Sequence, residues 1–309
     1  MKLAIVFPGQ GSQSVGMMAG FAGHARVEQT FHAASSVLGQ DLWKLVAEGP
    51  AEDLNATVNT QPVMLTAAFA MYQAWVDAGG PAAAVMAGHS LGEYTALAAA
   101  GAMAFTDAVT LVRFRAQAMQ DAVHMGVGGM AAILGLDDDA VRAACAEAAQ
   151  GEVVEAVNFN APAQVVIAGH KTAVERACVI AKAKGAKRAL ALPVSAPFHA
   201  SLLKPAAEKL REKLAGVSIH APVTPVIHNY DVALHPAPAE IREALALQAA
   251  SPVRWVETIR KMAADGVTHV VEIGPGKVLQ GLVKRIDPNL TGLAVTDAAS
   301  LGATLEALK

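Results

Sequence analysis

A serine held between glycines is the first place where this chain could do covalent chemistry: Gly88-His89-Ser90-Leu91-Gly92. The apolar run 83–87 before it reads as a buried strand, and the Ala/Leu-rich segment after it, closed by Gly101, as a helix. Strand, Gly-x-Ser-x-Gly and helix in that order make a nucleophile elbow. The turn is so tight that a Cβ at the flanking glycines would clash. It lifts the Ser90 hydroxyl off the sheet edge at a helix N-terminus, whose dipole favours negative charge. A catalytic serine is the chemistry implied, against the alternative of a plain glycine-rich turn.

Other residues are candidates to serve it. Arg115 shares a helical face with Leu111, Val112, Ala118 and Met119, whereas Arg113 points towards Thr110 and Gln117. An arginine on an apolar face needs an anion. Two are open: an internal carboxylate such as Asp107 or Asp121, or a carboxylate on a ligand. His199 lies in the loop Ser195-Ala-Pro-Phe-His199-Ala, where a lone histidine is usually just solvent-exposed. The loop Pro8-Gly9-Gln10-Gly11-Ser12-Gln13 follows a first apolar strand, 3–7. As a dinucleotide fingerprint it fails, because the third glycine would fall on Ser14 and Pro8 interrupts the turn. Its backbone N–H groups are better read as pointing into the site of Ser90. Gly276-Lys277 is no phosphate loop either, since the glycine needed five residues earlier is Val271.

The elements that must position these groups fall into two rhythms. Helices are expected over 31–46, over 62–78 with Asn59-Thr60 as the start, and from a Thr106-Asp107 cap to about 123. From Gly126-Val-Gly-Gly129 the pattern changes to strand 130–136, helix 137–150, strands 153–158 and 164–168, helix 171–184 and strand 188–192. That β-α-β-β-α-β order is ferredoxin-like and reads as an insertion. Helix 201–214, strand 223–228, helices 239–248 and 253–264, strand 268–273 and a helix to 285 follow. The chain of 309 residues is 53% hydrophobic but only 5% aromatic, so its core is Ala, Val, Leu and Met, in helices packed closely on a sheet. A net charge of −3 gives no reason to expect nucleic acid. Apolar runs stop well short of the ~18 residues of a membrane span, and Pro8-Gly9 breaks the first before it could form a secretory signal. Cys145 and Cys178 read as small buried residues in a reducing compartment, with no disulfide or metal site.

Eight stretches taken together resemble one family, the malonyl-CoA:acyl carrier protein transacylases. They are Phe-Pro-Gly-Gln-Gly-Ser-Gln (7–13), Gly-His-Ser-Leu-Gly-Glu (88–93), Arg-x-x-x-Met-Gln (115–120), Gly-Met-Ala-Ala-Ile-Leu-Gly (129–135), Asn-Phe-Asn-Ala-Pro-x-Gln-Val-Val-Ile (158–167), Pro-Phe-His (197–199), Ser-Pro-Val-Arg-Trp (251–255) and Glu-Ile-Gly-Pro-Gly (272–276). They span nearly the whole chain in family order. The resemblance implies an α/β-hydrolase-like large domain with a mostly parallel sheet, 1–125 and 197–309, interrupted by a ferredoxin-like small domain, 126–196.

It also implies roles. Ser90 would be the nucleophile and His199 its base, completed by the main-chain carbonyl of Gln248. No Asp or Glu stands within seven residues of His199, and a carbonyl can fix the tautomer as well. The main-chain N–H groups of Gln10 and Leu91 would form the oxyanion hole. Arg115 would grip the malonyl carboxylate, with Gln10 and Phe198 also lining the substrate site. Phe198 resembles the malonyl-type pattern that limits room for an α-methyl branch, whereas Ala196 departs from the family's loop. The implied enzyme is a cytoplasmic monomer without metal or other cofactor, taking malonyl-CoA and an acidic acyl carrier protein. Lys182, Lys184, Lys187 and Arg188, or Lys277, Lys284 and Arg285, are candidate docking runs; a solvated helix end is the plainer reading of the first. The rivals are a serine hydrolase with Asp107 or Asp121 as its acid, a non-catalytic acyl-CoA-binding protein, and the same transfer in a polyketide pathway.

Overall fold

The computed structural model describes residues 1–194 and 196–309; Ser195, which begins the loop before His199, lies outside the described residues. The first strand, β1 (Leu3–Phe7), is buried at all five positions, which is why it is apolar throughout. Helices α1 (Ala25–Leu38), α2 (Leu42–Glu48), α3 (Ala51–Asn55) and α4 (Thr57–Asp77) follow. The single helix expected over 31–46 is two, because Gly39 turns left-handed at φ 63° and Asp41 caps α2 by accepting from Lys44 N–H. The next helix begins at Thr57 rather than Asn59-Thr60, so Pro62 stands inside it instead of in its first turn.

Strand β2 (Val85–Gly88), α5 (Gly92–Ala99) and α6 (Phe105–Asp121) come next. Helix α6 starts one residue before the expected Thr106-Asp107 cap and has no side-chain cap. Then β3 (Gly128–Leu134), α7 (Asp138–Ala149), β4 (Val154–Ala161), β5 (Gln164–His170), α8 (Lys171–Ala183) and β6 (Arg188–Ala191) form a unit with its own antiparallel sheet, ordered β4-β5-β3-β6. That is the ferredoxin-like arrangement, with the first strand between the third and the fourth. Its apolar side packs on α7 and α8 through Val141, Phe159, Ile167 and Val174.

The chain returns through α9 (Lys204–Ala215), β7 (Val226–Ile227), α10 (Pro238–Gln248), α11 (Trp255–Ala264), β8 (His269–Ile273), α12 (Val278–Ile286), β9 (Thr291–Val295) and α13 (Ala298–Ala307). Strand β7 is shorter than its expected span and α11 begins at Trp255, since Val253 bridges to Asn158 instead. Five strands make a parallel sheet ordered β7-β2-β1-β8-β9. Its β9 edge and α13 had no expected counterpart. Ala-rich α4 and α5 cover one face, with α6 packed on them where small side chains let helices approach closely, and α11 and α12 cover the other. The fold is thus α/β, with a parallel sheet and a separate antiparallel one. Parallel strands put their C-terminal ends on one side, where ligands bind in such sheets. The Gln10 loop, the Ser90 turn and Asn229 all follow such ends.

Candidate active site

Ser90 has φ 51°, in the left-handed region that a serine rarely occupies. A Cβ at Gly88 would lie 1.9 Å from the Gly92 carbonyl carbon, and one at Gly92 would lie 2.1 Å from the Phe7 carbonyl oxygen. Strand, turn and helix therefore touch only because both residues are glycine. Asn229, just past β7, clamps the turn: its Oδ1 accepts from Ser90 N–H at 2.7 Å and its Nδ2 donates to the Gly88 carbonyl at 2.7 Å.

Ser90 Oγ lies 2.7 Å from His199 Nε2, and His199 Nδ1 lies 2.9 Å from the main-chain oxygen of Gln248. A carbonyl only accepts, so Nδ1 carries the proton and Nε2 faces the serine as a base. His199 is 3% exposed. Burial, then the neighbouring Arg115 charge, hold its pKa down to about 3, so the imidazole is neutral near pH 7.

Arg115 is 2% exposed. Its Nη2 donates to Ser90 Oγ at 3.1 Å and to Gln248 Oε1 at 2.9 Å, and its Nη1 donates to Gln61 Oε1 at 2.8 Å. The guanidinium carbon stands 5.3 Å from the Tyr94 ring centroid. Burial lowers its pKa from the ordinary arginine value, and Tyr94 and then Glu93 oppose that shift. None of its hydrogen-bond acceptors is a carboxylate. Of the two internal candidates, Asp107 is exposed in the first turn of α6 and Asp121 accepts from Gln117 instead.

The Ser90 N–H is spent on Asn229. Among the described residues, the main-chain N–H groups of Gln10 and Leu91 donate to no acceptor. Both residues line a cavity of about 490 Å³ together with Ser90, Arg115, Phe198 and His199. Its opposite wall is the antiparallel sheet, through Met130 and Asn158. A concavity of about 580 Å³ beside α1 and α2 contains none of these groups. Among the described residues, no cluster of His, Cys, Asp or Glu is arranged to hold a metal ion, and no helix is long and apolar enough to cross a membrane. Cys145 and Cys178 are free thiols.

The two basic runs differ. Lys184 pairs with Glu147 at 3.0 Å and Lys182 Nζ donates to the Lys187 carbonyl at 3.0 Å, at the end of β6 away from the cavity-lining Leu192. Lys277 follows Gly276, where a Cβ would lie 2.7 Å from Ser12 Cβ in the Gln10 loop; Arg285 donates to the Gln164 side chain. Sequence reasoning missed Gln61, Glu93, Asn229 and Asn160, whose Oδ1 lies 2.8 Å from His89 Nε2. Glu93 and Asn160 stand inside motifs quoted above, and Asn229 follows the C-terminal end of a parallel strand, which is the signal that could have found it.

Residues 4–301 match the family described as the acyl transferase domain. The chain is similar to the malonyl CoA-acyl carrier protein transacylase of Escherichia coli strain K12, with 55% identity over 306 residues covering 99% of each chain. It is similar to the acyl-carrier-protein S-malonyltransferase structure from Burkholderia pseudomallei, at 67% identity and a TM-score of 0.98, covering 99% of this chain and 100% of that one. A malonyl-transacylase solved in complex with its type II PKS acyl-carrier protein matches at 52% identity with a TM-score of 0.98, covering 99% of this chain and 100% of that one.

Proposed function

The chain belongs to the acyl transferase domain family, and within it to the malonyl CoA-acyl carrier protein transacylases, and on that premise we propose how its own residues carry the reaction. The reaction moves malonyl from malonyl-CoA to acyl carrier protein in fatty-acid synthesis.

Ser90 Oγ attacks the thioester carbonyl while His199 Nε2 takes its proton. The oxyanion is held by the N–H groups of Gln10 and Leu91, each worth about 10²–10³ in rate. The C–S bond breaks, the coenzyme A sulfur leaves with the proton from His199, and a malonyl-Ser90 ester remains. The carrier protein's phosphopantetheine thiol then gives its proton to His199 and attacks that ester; the C–O bond to Ser90 breaks, Oγ takes the proton back from His199, and malonyl leaves on the carrier's sulfur, so the cycle is ping-pong. The observation that carries this reading is that Arg115 Nη2 lies 3.1 Å from the same Oγ that His199 contacts at 2.7 Å. In a malonyl thioester the free carboxylate stands two bonds from the carbonyl under attack, so a cation beside Oγ is where it would be met.

Two sheets with separate cores support a division into a catalytic domain, 1–125 and 197–309, and a smaller one, 126–196, with the cavity between them. Phe198, half-buried at the cavity wall, would limit α-branched donors. The CoA-linked chemistry supports the cytoplasm. For the acidic carrier we favour Lys277, Lys284 and Arg285 over the run at Lys182, Lys184, Lys187 and Arg188, because Lys277 adjoins the Gln10 loop. A polyketide carrier is the second acceptor to try, given the similar malonyl-transacylase bound to one.

Intact-mass spectrometry after mixing with malonyl-CoA should find one malonyl group on Ser90. Arg115→Ala should slow that acylation by about 30-fold to several thousand-fold, the range for truncating one partner of a buried charged pair. Acetyl-CoA, which brings no carboxylate, should suffer far less. Equal losses for both donors would make Arg115 structural and overturn the reading.

A further inference from the structure

Behind the reacting groups, the hydrogen bonds converge on one buried acid. Glu93, in the first turn of α5, is 0% exposed. Its Oε1 lies 2.8 Å from His228 Nδ1, and its Oε2 accepts from the Asn229 N–H and from Gln248 Nε2, each at 2.9 Å. Gln248 Nε2 also donates to the Ser90 carbonyl at 2.9 Å. With both acceptors on that side, the amide can point only its oxygen at Arg115 Nη2. Turned over, its oxygen would face a carboxylate and a carbonyl, and its NH₂ would face a guanidinium.

The electrostatic consequence is unusual for a protein interior. A buried carboxylate and a buried guanidinium this close would ordinarily close into an ion pair. Here a neutral amide stands between them and satisfies both. The guanidinium forms no ion pair, although Glu93 still acts on it through space; its Nη2 also reaches Ser90 Oγ, and its Nε has no partner among the described residues.

We propose that Glu93, acting through the side-chain amide of Gln248, is a specificity-determining positioning group. It holds Arg115 beside Ser90 while keeping the protein's own carboxylates out of direct contact with it, so the site favours acyl donors that bring a carboxylate of their own. The proposal rests on the reading of Arg115 given above, and it concerns the Gln248 side chain rather than the main-chain carbonyl that orients His199.

The test exchanges the two side chains, Glu93→Gln with Gln248→Glu. The exchange keeps the net charge and nearly the volume of the buried network, but puts the carboxylate against Arg115. The readout is the ratio of malonyl to acetyl single-turnover acylation rates by intact mass, which cancels any general damage to Ser90 or His199. Melting curves confirm folding. The ratio should fall at least about tenfold, in line with the loss of one charge-assisted interaction. Glu93→Gln alone, which frees the amide to turn, should lower the ratio in the same direction, and it decides the matter should the exchanged protein not fold. Parental ratios in the folded variants, with both rates falling in parallel, would make Glu93 a purely structural residue and overturn the proposal. A parent with no preference for malonyl would instead overturn the underlying reading of Arg115, and this inference with it.

Discussion

Acid should reveal how firmly the fold keeps His199 neutral. In the unfolded chain its imidazole titrates near 6.5, whereas burial and the Arg115 charge hold it to about 3 in the folded protein. The unfolded state therefore takes up the proton first. The stability is fully present above pH 6.5 and is lost progressively as pH falls towards 3. Each pH unit in that window costs about 1.4 kcal/mol for one proton, so the loss at pH 4.5 is about 2.7 kcal/mol. His199→Gln has no such titration and serves as the reference. His89, whose pKa burial also lowers, is common to both proteins and cancels. Urea unfolding at pH 7.5, 5.5 and 4.5 should show the parent losing about 2–3 kcal/mol more than the variant. The same burial predicts the rate profile. For acylation by malonyl-CoA, kcat/KM reports the free enzyme's base. It should stay level from pH 7.5 to about 5, where an ordinary histidine would already have cost roughly 30-fold. An acid limb centred near pH 6.5, with parent and variant destabilised in parallel, would refute the reasoning.

Two further outcomes follow from the geometry. Gly92→Ala would drive a Cβ to 2.1 Å from the Phe7 carbonyl oxygen, a main-chain atom that cannot rotate away; it should lower stability by about 1–3 kcal/mol in urea unfolding and slow Ser90 acylation. Lys284→Glu with Arg285→Glu should raise KM for acyl carrier protein about tenfold at low salt and leave that for malonyl-CoA unchanged, because rim charges act mainly on encounter; an unchanged carrier KM would move the docking surface to the Lys187 and Arg188 run.

What could be read from the sequence was what repeats locally. The strand–glycine–serine–glycine–helix order marks the elbow, and helical spacing alone puts Arg115 on a buried face. The β-α-β-β-α-β rhythm delimits the antiparallel sheet. Helix boundaries near Gly39 and Pro62 were misjudged because one glycine in αL breaks an otherwise continuous apolar period, while the proline is tolerated inside the helix. The Asn229 clamp and the Glu93 hub were not legible, since their partners lie 135 to 155 residues apart in the chain. No local pattern announces a hydrogen bond of that span. Nor does residue type say whether Arg115 meets Asp107, Asp121 or neither. Only packing decides that, by turning both carboxylates outward.

The neutral partner of His199 follows from the same electrostatics. In a hydrolase triad an acid behind the imidazole stabilises the imidazolium that forms during attack. At the Gln248 carbonyl such an acid would also sit close to Arg115, whose Nη2 reaches that residue's side chain at 2.9 Å. It would draw the guanidinium towards itself and compete with the carboxylate of the donor. A main-chain carbonyl at 2.9 Å still fixes the His199 tautomer, but adds no charge to neutralise Arg115. The carbonyl raises the imidazole's pKa less than an acid would, so burial and then the Arg115 charge still hold it down to about 3, and Arg115 stays available to an anionic acyl group. Once a donor carboxylate meets the guanidinium, the positive charge that depresses His199 is countered, so the base strengthens when the right substrate is bound.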